Sequence, residues 1–448
     1  MQILPSGHDP VAPGQARLTL APFRGLRYDP ERVSGLAEVT SPPYDVIARD
    51  RADQLLAADP HNVVRLILPR PQSGNQGSAY RDAAHTLRQW QDERILRPDA
   101  EPALYVYEQA DGTQVRQRGL IGAVRLSPPE AGVVRPHEDV APGPVAGRLQ
   151  LMEATQANLE PIFLLHNGAD ASPGNDADGA ASRVVEAAAR SRPLADVVTS
   201  DGIRHRLWAV TSPGELAAVA ADLAPRRVMI ADGHHRYAAY LALQARCEAA
   251  RAGTGPWDYG LALLVDASAY PPEIGAIHRM IPRLSPAEAA RLAATAFTVR
   301  RLPGGTRELP AALDELAGAS ARGPAFLVAG GGEVSLLTDP DQGQLDAAMP
   351  PGRSRRWRAL AASVLQELLL RAVWTISDSE DNVRVVHNDA AEAVRQADEV
   401  GGTAVICAPM PAQDVYAIAR AGERVPRKST SFGPKPRTGL VMRTFAEG

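Results

Sequence analysis

The chain has 448 residues, of which 45% are hydrophobic and 22% charged, values typical of a globular protein large enough for two or three lobes. Its formal net charge of −4 predicts no broad basic surface, which argues against nucleic acid as a partner. No apolar run reaches the roughly 18 residues of a membrane helix, and the N-terminus lacks a signal-peptide pattern. We therefore expect a cytoplasmic protein without a membrane partner.

After a loose N-terminus at residues 1–17, short apolar runs alternate with helical stretches. The runs that predict strands are Val63–Leu68, Leu104–Tyr107, Leu120–Val124, Ile162–Leu165, Leu207–Val210, Val228–Ile230, Leu261–Leu264, Ala325–Val328, Val383–Val386 and Ala404–Ile406. The stretches that predict helices are Tyr80–Glu93, Ala181–Ser191, Gly214–Leu223, His235–Ala252, Pro286–Ala296, Leu309–Ala317, Arg355–Leu370 and Asp389–Glu399. This mixture predicts an α/β fold of the mixed α+β kind.

Loops and a lobe boundary complete the expected organisation. Polar, Gly-containing loops are predicted at Gln72–Gly77 and Asn167–Gly179, and a hairpin turn at Gly330–Gly332. A boundary near residue 285 is expected to divide a catalytic portion, residues 18–285, from a C-terminal lobe, residues 286–448, that contributes a segment around Lys428.

The segment Val228–Tyr240 is the most informative in the chain. Its apolar start predicts a buried strand, Asp232-Gly233 breaks that strand, and a helix is expected from His234 onward. Such a turn directs unpaired backbone N–H groups and the positive end of the helix dipole at an anion. The neighbouring His234, His235 and Arg236 would gain nothing there without a bound anion, so the pattern favours phosphate chemistry or proton transfer over an ordinary capped turn.

Other polar clusters add candidates for the same site. A rigid Pro-Pro turn precedes Tyr44 and Asp45, and polar groups flank the apolar run that follows His61; for these residues a structural role is left open. Titratable groups also crowd together between Val133 and Asp139, and such groups are costly to bury unless they act together. The candidates from these clusters are Tyr44, Asp45, Asn62, Arg65, Arg135, His137, Glu138 and Arg148.

Lysine is almost absent from the chain. Of the 48 Lys and Arg residues only two are lysines, Lys428 and Lys435, and both lie in one short C-terminal stretch. Because lysine is a compact, mobile point charge whereas arginine is a planar fork, a site that must reach one oxygen favours lysine. We select Lys428, with Ser429 and Thr430, as a candidate nucleotide-binding segment.

The histidines do not predict a structural zinc site. His234 and His235 are adjacent, whereas two ligands on one helical face are expected four residues apart, and neither cysteine assists. No dedicated metal site is expected, but Mg²⁺ could accompany a nucleotide (ATP or ADP), with Asp232 as a ligand, because Mg²⁺ needs few protein carboxylates.

Several of these segments together resemble the DUF1015 family of uncharacterised bacterial and archaeal proteins. They are Pro22–Tyr28, Pro42–Asp45, Arg135–Glu138, Ala231–Arg236, Lys428–Thr430 and Thr438–Leu440, and the resemblance covers about residues 18–445. The Asp-Gly-His-His-Arg turn is also similar to that of the ParB/sulfiredoxin-like group, which includes free-serine kinases. That resemblance implies a ParB/sulfiredoxin-like catalytic core with an additional C-terminal α/β lobe. Sulfiredoxin chemistry is disfavoured, because Cys247 lies well down the predicted helix.

The resemblance implies a small-molecule phosphotransferase, with serine and O-phosphoserine as candidate substrates. We expect phosphate oxygens at Gly233, Arg236 and the Arg135–His137 and Lys428–Thr430 segments, with substrate near Tyr44, Asp45, Asn62, Arg65 and Arg148. Glu138 is the candidate base, with Asp232, His234 and His235 as further catalytic residues. Two alternatives stay open: a nucleotide-binding regulator of the ParB type, for which the sequence offers neither a helix-turn-helix nor a basic face, and a phosphoserine phosphatase.

Overall fold

The computed structural model describes residues 17–71, 76–166, 179–377, 379 and 381–446, and the chain divides into two compact units. The first unit holds the described residues within Met1–Pro136, Val140–Pro272 and Pro434–Gly448. The second holds His137–Asp139 and the described residues within Glu273–Gly433. The division therefore falls after Pro272 rather than near residue 285, and the last segment of the expected C-terminal lobe returns to the first unit. Residues 1–16, 72–75 and 167–178, most of the predicted terminus and loops, lie outside the described residues.

The strands of the described residues are β1 (Leu20–Ala21), β2 (Leu26–Tyr28), β3 (Leu96–Pro98), β4 (Leu104–Asp111), β5 (Gln114–Arg125), β6 (Val134–Arg135), β7 (Ala157–Asn158), β8 (Ile162–His166), β9 (Ala195–Val198), β10 (Ile203–Val210), β11 (Val228–Asp232), β12 (Tyr259–Asp266), β13 (Glu273–Gly275), β14 (Ile277–Ile281), β15 (Thr298–Arg301), β16 (Phe326–Gly330), β17 (Glu333–Thr338), β18 (Arg384–His387), β19 (Thr403–Cys407), β20 (Ser431–Gly433) and β21 (Arg443–Thr444).

The α-helices are α1 (Leu36–Val39), α2 (Arg49–Ala58), α3 (Val64–Ile67), α4 (Gln76–Asp92), α5 (Pro142–Thr155), α6 (Ala180–Ala188), α7 (Pro213–Leu223), α8 (His234–Ala249), α9 (Pro286–Ala293), α10 (Leu309–Ser320), α11 (Gln342–Ala348), α12 (Arg355–Ala359), α13 (Ala361–Ser363), α14 (Ala390–Val400) and α15 (Ala412–Arg420). Short 3₁₀ turns lie at Tyr44–Val46, Pro129–Ala131, Pro256–Asp258 and Gly305–Glu308, and a π-helix spans Val364–Val373. The predicted mixed α/β class is therefore confirmed.

The first unit is built on a mixed sheet with the order β6-β11-β8-β12-β5-β4-β10-β9, in which β1 also pairs with β5. The β6/β11 and β8/β12 pairs are parallel, and β11 runs antiparallel to β8. Alternate residues of the central strands, such as Ile162 and Leu164, face the same buried core as Tyr237 and Leu243 of α8. The register between β11 and β8 shifts between Ile230 and Asp232, so the end of β11 is locally irregular where Asp232 leaves the sheet.

The second unit contains an antiparallel sheet with the order β15-β17-β16-β19-β14-β18. Because side chains alternate along a strand, Phe326 and Val328 of β16 join one core and Leu327 joins another. Helix α9 and the π-helix contribute to the first core, whereas α10 and α14 contribute to the second. The expected hairpin at Gly330–Gly332 is confirmed, because β16 and β17 pair across it.

Two sequence predictions are wrong. Val63–Leu68, expected to form a strand, contains helix α3. Val63, Val64, Leu66 and Ile67 are all buried around the single exposed residue Arg65, so the short run does not show the period of a helix. The helix predicted at Arg355–Leu370 is interrupted at Leu360, where ψ is 133°, and continues as α13 and the π-helix.

Candidate functional site

The predicted strand–glycine–helix turn is present in the first unit. Strand β11 ends at Asp232, Gly233 adopts a left-handed conformation (φ 93°, ψ 28°), and α8 begins at His234. A Cβ atom at residue 233 would lie 2.8 Å from Ile162 Cγ2, so both the backbone angle and the packing require glycine. The first turn of an α-helix leaves its N–H groups without intrahelical acceptors, an arrangement that favours an anion in proteins generally.

Asp232 is a buried carboxylate held between two cations. Its Oδ2 atom accepts a hydrogen bond of 2.6 Å from Arg236, and its Oδ1 atom lies 2.5 Å from Lys435 Nζ. Arg236 is itself only 5% exposed and donates to the Pro161 carbonyl at 2.6 Å. Burial lowers the pKa of Arg236, but Glu160, Asp232 and Asp45 raise it by more, so the guanidinium stays charged.

Lys435, rather than Lys428, is the lysine of this cluster. Its Nζ atom lies 2.5 Å from Asp45 Oδ2 as well as from Asp232 Oδ1, so a single ammonium group joins two carboxylates. Burial lowers the pKa of Lys435, whereas the two aspartates raise it more strongly, and the net effect is a raised pKa. The scarcity of lysine in the sequence predicted a site lysine, but the prediction was for Lys428 and not for Lys435.

Polar contacts from the sheet hold the backbone around Lys435. Gln109 Nε2 donates to the Lys435 carbonyl at 2.9 Å, and the Arg437 N–H donates to the Tyr107 hydroxyl at 2.9 Å. Arg437 Nε donates in turn to Thr40 Oγ1 at 2.6 Å. The segment that carries Lys435 is thus anchored on both sides of the lysine.

Tyr44, Glu160 and Arg148 form a second layer beside Arg236. The Arg148 guanidinium lies 4.1 Å from the centre of the Tyr44 ring, a cation–π contact, and 3.8 Å from the Glu160 carboxylate. Glu160 accepts the backbone N–H of Tyr44 at 3.0 Å. Burial raises the pKa of Tyr44 to about 12, and burial raises that of Glu160 although Arg236 and Arg148 oppose it. Tyr44 therefore lies beside Arg236, with Arg148 on its ring, and Glu160 is a buried member that the sequence did not reveal.

The two histidines differ in their surroundings. His235 Nε2 accepts the backbone N–H of Ala141, the residue before α5, at 3.0 Å. An acceptor nitrogen carries no proton, so this contact favours the neutral imidazole. His234 is partly exposed at the first position of α8.

Asn62 and Arg65, predicted to contact substrate, make structural contacts in this conformation. Asn62 is fully buried; its amide donates to the Glu38 carbonyl at 2.6 Å and accepts the Val64 N–H at 2.9 Å. Arg65 is exposed and donates to the Leu56 carbonyl at 3.0 Å. These contacts account for both residues without a ligand.

The second unit brings the two other predicted segments together. His137 Nε2 and the Thr430 hydroxyl form a 2.8 Å hydrogen bond, and the Glu138 carboxylate accepts the backbone N–H of Lys428. Burial raises the pKa of Glu138, although Lys428, Arg279 and Arg427 favour its charged form. The Ser429 hydroxyl donates to the Pro426 carbonyl.

Arg135, which precedes this segment, belongs to the first unit, and its Nε donates to the Gly132 carbonyl at 3.0 Å. These contacts join residues of the same unit. Arg135 makes its contact in the first unit, and His137, Ser429 and Thr430 make theirs in the second.

Within the described ranges, no group of three or more His, Cys, Asp or Glu side chains could hold a metal ion. In the same part of the chain, no helix combines the length and apolar character needed to span a bilayer.

The model of the DUF1015 family, described as a protein of unknown function, matches residues 20–362, so the chain belongs to that family. No curated protein matches the chain.

Among solved structures, a free serine kinase in complex with AMP is 14% identical, with 69% of this chain and 88% of the other covered and a TM-score of 0.36. SbnI from Staphylococcus aureus, with a C-terminal truncation, is 12% identical, with 72% and 87% covered and a TM-score of 0.36. A conserved hypothetical protein from Pyrococcus furiosus is 13% identical, with 67% and 87% covered and a TM-score of 0.34. Scores this low do not establish a common activity.

Proposed function

We propose that the protein is a phosphotransferase that moves a phosphoryl group between a nucleotide and the hydroxyl group of a small molecule, with serine and O-phosphoserine as the first candidates. The observation that carries this proposal is the turn at Asp232–Gly233. A helix N-terminus there stands beside Asp232 and its two cations, Arg236 and Lys435, the second of which also pairs with Asp45. These are the groups that bind a phosphate and stabilise the charge that develops during its transfer.

Phosphoryl transfer needs positioning and electrostatics more than covalent help from the protein. In this proposal the N–H groups of Gly233–His235 hold phosphate oxygens, and Arg236 with Lys435 balances their charge. Tyr44, Asp45 and Arg148 contact the hydroxyl-bearing substrate. Glu138, which belongs to the second unit, stays the predicted base on its chemistry alone, because burial raises the pKa of its carboxyl group.

Mg²⁺ is expected to arrive with the nucleotide. Asp45 and Asp232 are both paired with Lys435. The ion would therefore be held mainly through phosphate oxygens, and its contribution would be to neutralise phosphate charge.

The test separates the proposed transfer from its alternatives. The protein is incubated with O-phosphoserine and Mg²⁺, with and without ADP, and serine, ATP and inorganic phosphate are measured. Serine formed together with ATP only when ADP is present supports the phosphotransferase. Phosphate released without ADP indicates a phosphatase, and nucleotide binding without any turnover indicates a regulator; either result overturns the proposal for this substrate.

The phosphate-binding turn is tested separately by calorimetry with ADP and ATP. We expect Arg236→Ala to weaken nucleotide binding, because it removes a buried positive charge beside the N-terminus of α8. Arg246→Ala is the matched control, since this arginine lies on the same helix and is exposed. Equal affinities of the two variants would contradict the assignment of the turn.

A further inference from the structure

A cavity of about 250 Å³ lies wholly within the second unit. Its walls are mainly apolar and include Ile277, Phe326, Leu360, Leu365, Cys407 and Met410. Arg279, Arg356, Ser429 and Asp414 supply its polar positions. Arg356 and Pro409 are exposed at its rim, so the cavity can be reached from solvent.

Arg279 is the unusual member of this wall, because it is a buried cation without an acidic partner. It is only 5% exposed, and its terminal nitrogens donate to four backbone carbonyls, those of Ile277, His278, Arg427 and Lys428. Among the described residues, no carboxylate lies within ion-pair distance of it, and its Nε atom makes no hydrogen bond. A guanidinium group that carbonyl oxygens solvate keeps its full charge, which then acts on whatever occupies the cavity.

Two arginines and one aspartate line this cavity, so the charge of its lining is net positive. Arg279 is buried, Arg356 is exposed at the rim, and Asp414 is the carboxylate of the lining. Arg279, with Lys428 and Arg427, also favours the charged form of Glu138. The remainder of the lining is mainly hydrocarbon and sulfur.

We propose that this cavity binds a small organic carboxylate with an apolar body, its carboxylate at the Arg279 and Arg356 end and its body against Phe326, Leu365 and Met410. The volume is below the roughly 300–1,000 Å³ of pockets for drug-sized ligands, so the ligand is of metabolite size. The adjacent helix is of the π type, a form that is rare and often found where helices contribute to function. Binding of the acid at this site needs no nucleotide, although Ser429 of the lining also belongs to the segment predicted to bind one.

The test is calorimetry of the full chain with hexanoate and benzoate, each compared with its neutral amide, hexanamide or benzamide. We expect at least one acid to bind and its amide to bind about tenfold more weakly or not at all, since a charged carboxylate makes a stronger hydrogen bond to an arginine than a neutral amide does. No binding of either acid, or equal binding of acid and amide, would overturn the proposal.

Two variants locate the binding. Arg356→Gln removes the exposed cation of the rim and should weaken binding of the acid, whereas Arg355→Gln, its exposed neighbour that does not line the cavity, should leave it unchanged. Ala362→Leu fills part of the cavity while it keeps every charge, and it should reduce binding of the acid as well. Wild-type affinity in both Arg356→Gln and Ala362→Leu would place the ligand elsewhere and reject the proposal.

The two cysteines provide an independent readout. Cys407 lines the cavity, whereas Cys247 lies on α8 in the other unit, and both are free and partly exposed. We expect the bound acid to slow alkylation of Cys407 and to leave the alkylation rate of Cys247 unchanged. Peptide mass spectrometry measures both rates. Equal protection of both thiols, or of neither at a concentration that saturates the calorimetric signal, contradicts binding in this cavity.

Discussion

Lys435 places one ammonium group between the carboxylates of Asp45 and Asp232, each 2.5 Å away. The two carboxylate oxygens are therefore separated by no more than twice that distance. Without the lysine, two negative charges would face each other in a mostly buried position, and one of them would tend to take up a proton.

We expect Lys435→Met to lower the free energy of unfolding by about 3 kcal/mol at pH 7.5, the cost of breaking a buried ion pair. The loss should become smaller as the pH falls towards 4, because protonation of one aspartate relieves the repulsion. Urea unfolding at several pH values measures both effects. Lys428→Met, which removes the other, partly exposed lysine, should cost much less, and a pH-independent loss in Lys435→Met would contradict the paired-carboxylate explanation.

Glu138→Gln tests the proposed base. Glutamine keeps a carbonyl oxygen to accept the Lys428 N–H, so the local contact survives while proton acceptance is lost. We expect turnover to fall by roughly 10²–10⁴-fold with nucleotide affinity largely unchanged. The measurement is steady-state kinetics together with ADP calorimetry, and unchanged turnover would remove Glu138 from this role.

At the scale of single residues, the sequence predicted which residue types form the candidate site better than it predicted which residues contact one another. The Asp232–Arg236 turn was identified because an unusual set of residues is contiguous in the chain. Glu160 and Lys435 were not, because each becomes part of the cluster only through pairing with distant residues such as Tyr44 and Asp45. Asn62 was indistinguishable in sequence from a ligand-binding residue, although its amide group is buried and hydrogen-bonds to the backbone of Glu38 and Val64.

Among the elements, the junction between β11 and α8 depends on Gly233. We expect Gly233→Ala to destabilise the protein by about 1–3 kcal/mol, because alanine is strained at φ 93° and its Cβ would lie 2.8 Å from Ile162 Cγ2. Gly202→Ala is a matched control: φ is 84° there, but a Cβ would meet no atom within 4 Å.

The difference in the free energy of unfolding between these two variants, measured by thermal or urea unfolding, gives the cost of the Cβ contact with Ile162 apart from the cost of the backbone strain. Equal losses would indicate that Ile162 moves aside at no cost. A larger fall in ADP affinity in Gly233→Ala than in Gly202→Ala would support the role of the junction in phosphate binding.

Helices α10 and α14 were predictable because their apolar periodicity is sustained, and strands β8 and β12 because each is a continuous apolar run. Short strands such as β6 and β7 span two residues and carry no period, so they become visible only through their partners, β11 and β21. The run at α3 is also apolar except for Arg65, and a helix of four residues is too short to show a helical period.

At the scale of the whole molecule, a buried histidine in each unit is expected to make the protein sensitive to acid. Burial lowers the pKa of His205, in the first unit, and of His278, in the second, to about 4. Both imidazoles are therefore neutral in the folded protein at pH 5, whereas the unfolded chain binds a proton at each. Stability is thus full above about pH 6.5 and declines as the pH falls towards 4.

We expect each histidine to contribute about 2 kcal/mol to the stability lost between pH 7.5 and pH 5. Urea unfolding of His205→Gln and His278→Gln at both pH values measures this, since each variant should lose less on acidification than the wild type. His85→Gln, at an exposed position of α4, should show the wild-type difference. A wild-type pH dependence in both buried-site variants would contradict the assignment.

The division into units could not have been predicted from composition. His137–Asp139 and Pro434–Gly448 are too short to differ from their surroundings in polarity or charge. Their placement follows from pairings that span much of the chain, such as Glu138 with Val425 and Asn158 with Arg443.

The return of Pro434–Gly448 to the first unit also sets an order of events during synthesis. A ribosome must translate all of Glu273–Gly433 before it adds Lys435. Asp45 and Asp232 therefore lack this counter-ion while the second unit is still being synthesised. Nascent chains that stop within the second unit should therefore lack this counter-ion, and with it the proposed phosphoryl-transfer activity, until translation passes this lysine.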